Sequence, residues 1–135
     1  MANDFTVSVD IAVPADTAWQ VAGDPIGIAE WFGPAETCEP IPGGRKVTMK
    51  SGAVLLEDLV DRDDAARRYS YVVTEGIPGL TSHKATIGVD EVPSGSRVFW
   101  RQTATSDDPD YDIESRLRAP LTGALEALKA RLESE

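Results

Sequence analysis

The chain has 135 residues, 41% apolar and 27% charged, a balance that suits one globular domain with one core and excludes a disordered or fibrous chain. Its 13 Lys and Arg stand against 23 Asp and Glu, a net charge of −10 that repels phosphate backbones and anionic lipid, so no nucleic-acid partner is expected. One cysteine, Cys38, and one histidine exclude an internal disulfide, a thiol-rich metal site and most nucleophilic triads; neither metal nor cofactor is expected.

Met1 to Phe5 carry no basic segment followed by an apolar run, and no stretch nears the ~20 apolar residues of a membrane span, which predicts a cytoplasmic protein without membrane insertion. Phe5, Val7, Val9, Ile11 and Val13 then alternate with polar or small residues at the period of two of a half-buried strand, ended by Pro14. Asp16 opens a short helix through Ala18, Trp19, Val21 and Ala22. After Gly23, Asp24-Pro25 caps and opens a second short helix that ends near Gly33-Pro34.

Turn signals divide the next stretch into six strands, spaced too closely for parallel crossovers and therefore antiparallel. Cys38 to Ile41 meets Pro42-Gly43-Gly44, Lys46 to Lys50 meets Ser51-Gly52, and Ala53 to Val60 meets Asp61-Arg62-Asp63-Asp64. Arg67 to Glu75, Ser82 to Val92 and Ser96 to Thr105 are longer, separated by Gly76-Ile77-Pro78-Gly79 and Pro93-Ser94-Gly95. The period then changes: Ile113, Leu117, Leu121, Leu125, Leu128 and Leu132 fall on one helical face, with Glu114, Arg118, Glu126, Lys129 and Glu133 opposite. Pro120 and Gly123 interrupt this helix. An interior proline costs about 3 kcal/mol and predicts a bend or break near Arg116 to Pro120.

A strand, two short helices, six antiparallel strands and a long final helix form an α+β domain spanning residues 1–135, in the order of the helix-grip fold, whose curved sheet wraps the last helix. The chain resembles the bacterial polyketide cyclase/dehydrase and lipid-transport family of the START-like (SRPBCC) superfamily. Five stretches carry the resemblance: Val9 to Trp19, the Asp24 and Trp31 pair, Leu56-Glu57-Asp58-Leu59, Arg68-Tyr69-Ser70-Tyr71 and Val98-Phe99-Trp100. It implies a cavity between sheet and long helix. The sequence departs from the commoner bacterial pattern at His83, where the family more often has an aromatic such as Tyr, and at Pro120.

Period two puts Glu57 on one face with Leu55 and Leu59, as an inward carboxylate whose pKa burial raises unless a cation pairs with it. Two readings stay open: an acid that anchors a ligand or moves a proton, and a structural acid paired with an Arg or Lys of a neighbouring strand. His83 shares inward parity with Ala85, Ile87 and Val89, so it is either an acid-base group oriented by Glu57 or a Tyr, or a hydrogen-bonded structural residue. Tyr69, Tyr71 and Val73 share one strand face, and Trp100 and Gln102 another. Together with Ala85, Trp31, Leu117 and Leu121 they are the candidate ligand-binding wall, the alternative being a solid core. Trp19, Trp31 and Phe32 are expected at the mouth or edge, and Gly76-Ile77-Pro78-Gly79-Leu80 resembles the gate of ligand receptors with this fold. The expected function is binding of a small hydrophobic molecule (a polyketide, lipid or aromatic metabolite) by a monomer or homodimer. The alternatives are a polyketide cyclase, aromatase or dehydratase using Glu57 and His83, and a non-enzymatic interaction protein.

Overall fold

The computed structural model describes residues 3–134. In chain order the elements are β1 (Asp4–Ile11), α1 (Ala15–Ala22), a single 3-10 turn (Ile26–Glu30), β2 (Ala35–Ile41), β3 (Gly44–Met49), β4 (Val54–Asp63), β5 (Arg68–Glu75), β6 (Leu80–Val92), β7 (Gly95–Ser106) and α2 (Ile113–Glu133). The seven strands form one antiparallel sheet in the order β1-β7-β6-β5-β4-β3-β2. This is the expected α+β architecture.

In β1 the period of two is realised, with Phe5, Val7 and Ile11 buried beneath exposed Asp4, Thr6, Ser8 and Asp10. The strand stops at Ile11, not Val13, because its partner β7 begins at Gly95 and Ile11 pairs with Ser96. The second short helix is only one 3-10 turn. Asp24 Oδ1 accepts from the Ile26 N–H at 3.0 Å, as a cap would, but Trp31 and Phe32 N–H both close onto Ile28 O and end the turn.

α2 lies against β1 and β7, and α1 against β6 and β7. Asp112 starts α2 by accepting from Glu114 N and Ser115 N. Ile113, Leu121, Leu125, Leu128 and Leu132 are buried and Leu117 is half-buried, so the leucine stripe faces the sheet. Of the expected bend or break at Pro120, the break does not occur, since the helix runs from Ile113 to Glu133 without interruption. Pro120 forfeits only the bond its own N–H would make, while buried residues on both sides hold the two halves to one core. Farther along, Lys129 Nζ donates to Asp10 O at 2.8 Å and Glu133 Oε2 accepts from Ala12 N at 2.9 Å, tying the helix end to β1.

Two irregularities in the sheet shape the cavity wall. The β6–β7 ladder runs from Leu80/Ser106 to Val92/Gly95, yet β5 and β6 pair only from Arg68/Gly88 to Tyr71/Ala85, although β5 continues to Glu75. The β4–β5 ladder shifts register between Leu56 and Glu57 and again between Leu59 and Asp61. Leu59 is accordingly 36% exposed, so the expected inward face of Leu55, Glu57 and Leu59 holds only for the first two.

Candidate functional site

The turn between β3 and β4 fixes the first part of the site. Gly52 N donates to Met49 O at 2.9 Å, Met49 N to Ala53 O at 2.8 Å, and Gly52 takes φ +94°, giving a three-residue loop of Lys50, Ser51 and Gly52. That loop length sets the register that places Arg45 directly opposite Glu57. A two-residue Ser51-Gly52 turn would instead have paired Arg45 with Asp58.

Arg45 is 1% exposed and donates from Nε to Glu57 Oε1 at 2.7 Å, and from Nη1 to Pro25 O at 2.6 Å and Tyr69 OH at 3.3 Å. Its guanidinium carbon lies 4.4 Å from the Tyr71 ring centroid. Burial opposes the charge on Arg45, but Tyr69, Glu57 and Tyr71 hold its pKa above the ordinary value. Burial also pushes the Glu57 carboxyl up, against the pull of Arg45. A guanidinium cannot release its proton, and its fixed charge beside Glu57 favours the ionised carboxyl, so Glu57 is the carboxylate partner of Arg45 at neutral pH.

The second part lies where β5 and β6 part. Beyond Tyr71 the Val73 N–H has no strand partner in β6, and His83 Nδ1 accepts from it at 3.0 Å. A nitrogen that accepts carries no proton, so the hydrogen of neutral His83 sits on Nε2 and is donated to Gln102 Oε1 at 2.7 Å. Burial holds the His83 pKa below its ordinary value, against the Gln102 bond, so the neutral form prevails at pH 7. The Gln102 amide then donates to Tyr71 OH at 3.4 Å, and Trp100 Nε1 donates to the same oxygen at 3.1 Å.

Between sheet and α2 these groups wall a cavity of about 100 Å³. Glu57, Tyr71, Val73, His83, Trp100, Gln102, Leu117 and Leu121 line it as expected, joined by Phe32 and Ile77. Three candidates do not line it. Ala85 pairs with Tyr71 on one side and Gln102 on the other, and these longer side chains cover its methyl. Tyr69 is buried one step farther along β5, its ring 6.3 Å from Trp19 and its hydroxyl committed to Arg45. Trp31 packs edge-on behind Trp100 at 5.7 Å. Trp19 also stands away from the mouth, donating to Asp64 Oδ1 at 3.1 Å beneath the Arg62 guanidinium. His83 and Glu57 share the cavity wall but not a hydrogen bond, and the group that orients His83 is Gln102.

Arg45 is the charged lining residue that the sequence reading missed, along with apolar or aromatic ones such as Met49 and Tyr111. The signal for Arg45 was the alternation with Val47 and Met49, which puts an arginine on the inward face of β3. Among the described residues no group of three or more His, Cys, Asp or Glu could hold a metal ion, and no helix is long and apolar enough to cross a membrane.

A family model described as polyketide cyclase / dehydrase and lipid transport matches residues 2–133. The chain belongs to this family. No curated protein matches it. Solved structures share its fold: the protein XoxI from Bacillus cereus is 22% identical with a TM-score of 0.87, covering 97% of this chain and 96% of that one. An aromatase/cyclase, Zhui, from Streptomyces sp. R1128 is 18% identical at TM-score 0.79, covering 96% and 93%. A START superfamily protein from Mycobacterium smegmatis is 12% identical at TM-score 0.77, covering 98% and 99%. At these identities the likeness concerns the fold alone, a curved antiparallel sheet around a long final helix in the helix-grip arrangement. The cyclase/dehydrase family's ligand-binding architecture is therefore present here, with one charged and one neutral polar cluster in the cavity wall.

Proposed function

We propose that the chain binds a small, mainly apolar molecule in the cavity between sheet and α2 and performs no acid-base chemistry on it. One observation carries this reading: His83, whose ordinary pKa lies nearest neutrality among the candidates, is already committed at both ring nitrogens, and Glu57 is held as a counter-ion by Arg45. One ring nitrogen of His83 accepts from Val73 and the other donates to Gln102. A general base needs a free lone pair within reach of its substrate.

Cavity size supports a small guest. A dry apolar cavity of ~150 Å³ holds benzene, so about 100 Å³ suits roughly one small ring or a short chain unless half-buried Met49, Ile77 and Leu117 swing aside. Apolar contact with Phe32, Trp100 and Leu121 supplies the affinity, at about 25 cal/mol per Å² buried. Native mass spectrometry of protein purified from its own host tests the reading. The expected result is a retained small organic adduct, lost when Leu121→Trp fills the cavity. A substrate that the wild type turns over, with turnover falling about 10²-fold in His83→Phe while binding persists, would establish the cyclase or dehydratase reading in its place.

A further inference from the structure

We infer that the cavity selects a neutral molecule carrying a carbonyl oxygen, which accepts the hydroxyl proton of Tyr71. This deepens the binding reading and rests on it. The starting point is a donor whose direction cannot be reversed, the backbone N–H of Val73. By donating to His83 Nδ1 it fixes the imidazole tautomer, the tautomer fixes the Gln102 amide with Oε1 toward His83, and the amide nitrogen is thereby turned toward Tyr71. Trp100 Nε1 can only donate, and it donates to the same phenolic oxygen. Tyr71 OH therefore accepts twice, and no described atom accepts its proton.

That proton belongs to a residue lining the cavity, in a wall of otherwise largely apolar side chains. Burial and the nearby Glu57 carboxylate outweigh Arg45, whose guanidinium carbon is 4.4 Å from the Tyr71 ring centroid, and hold the phenol well above its ordinary pKa, so the hydroxyl keeps its proton at neutral pH. A carboxylate ligand is disfavoured, because the charge of Arg45 is already met by Glu57, whose own carboxylate lies in the same wall. A cation lacks the acceptor that Tyr71 requires. A ketone, ester or lactone oxygen on a compact apolar body fits both the donor and the space.

The test compares cyclopentanone with methylenecyclopentane, which has nearly the same shape but no acceptor, by ¹H–¹⁵N NMR titration of the wild-type protein. The ketone is expected to bind about threefold to tenfold tighter, the range of one net hydrogen bond, with its ¹³C carbonyl resonance moving downfield on binding. Two variants remove the effect by different routes. Tyr71→Phe deletes the proton, and Gln102→Glu turns it away by offering Tyr71 an anionic acceptor; in both, the ketone preference should fall to about one while the hydrocarbon still binds. Equal wild-type affinities, or a preference that survives in Tyr71→Phe, would overturn the carbonyl assignment and leave cavity binding standing. Failure of both molecules to bind the wild type would overturn the binding reading itself.

Discussion

At the β3–β4 end of the cavity, Arg45 and Glu57 bury two formal charges that cancel across one strand pair; at the β5–β7 end, His83, Gln102 and Tyr71 bury neutral groups in a chain with a direction. The charged pair is closed on itself and gains little from a ligand. The neutral chain ends in a proton with no acceptor among the described residues. Burial of polar groups thus serves two purposes on one sheet: the first cluster keeps a charge satisfied, and the second, as we propose, offers one donor to a guest.

The largest expected difference between the two is in stability. Arg45→Met strands the Glu57 carboxylate in the wall and should cost about 3–5 kcal/mol in denaturant unfolding, whereas the double change Arg45→Met with Glu57→Leu should recover most of that loss. A single-variant cost under about 1 kcal/mol would mean water reaches the pair. Gln102→Leu removes the acceptor of His83 and one donor to Tyr71 without stranding a full charge, so a smaller cost of about 1–3 kcal/mol is expected in the same melts.

The two clusters should also respond to pH with opposite sign. Burial raises the Glu57 pKa above its ordinary 4.5, so its contribution to stability is full below that value and is lost as pH rises through the folded pKa. Burial lowers the His83 pKa below its ordinary 6.5, so its contribution is full above that value and is lost as pH falls through the folded pKa. Unfolding measured from about pH 4 to pH 8 should show the rise in stability below 6.5 flattened in His83→Phe, and the fall in stability above 4.5 flattened in Glu57→Gln. Parallel profiles for wild type and His83→Phe would show that the imidazole is not held neutral by its surroundings.

Legibility followed the same division. Elements whose side chains announce a face were readable: the alternation from Phe5 to Ile11, the leucine stripe of α2, and the inward parity of Tyr71, His83, Trp100 and Gln102. Pairing across strands was not, because it turns on single residues in loops and bulges. Whether the loop after Met49 holds two or three residues decides whether Arg45 meets Asp58 or Glu57, and the shift between Leu59 and Asp61 decides that Leu59 is exposed. Parity also says nothing of depth along a strand, which is why Tyr69 was expected in the lining and lies behind it, or of relative side-chain length, which is why Ala85 is covered by Tyr71 and Gln102. The acceptor role of His83 depends on β5 and β6 separating after Tyr71/Ala85, a tertiary feature with no local sequence signal.

The most direct test of a ligand-binding cavity is a crystal structure under xenon pressure. Xenon enters dry, apolar enclosed space and does not displace well-bonded water. The account predicts a xenon atom between Trp100, Leu117 and Leu121, with the Arg45–Glu57 and His83–Gln102 bonds unchanged. Ordered waters filling the space between Trp100, Leu117 and Leu121, with no xenon there, would contradict it.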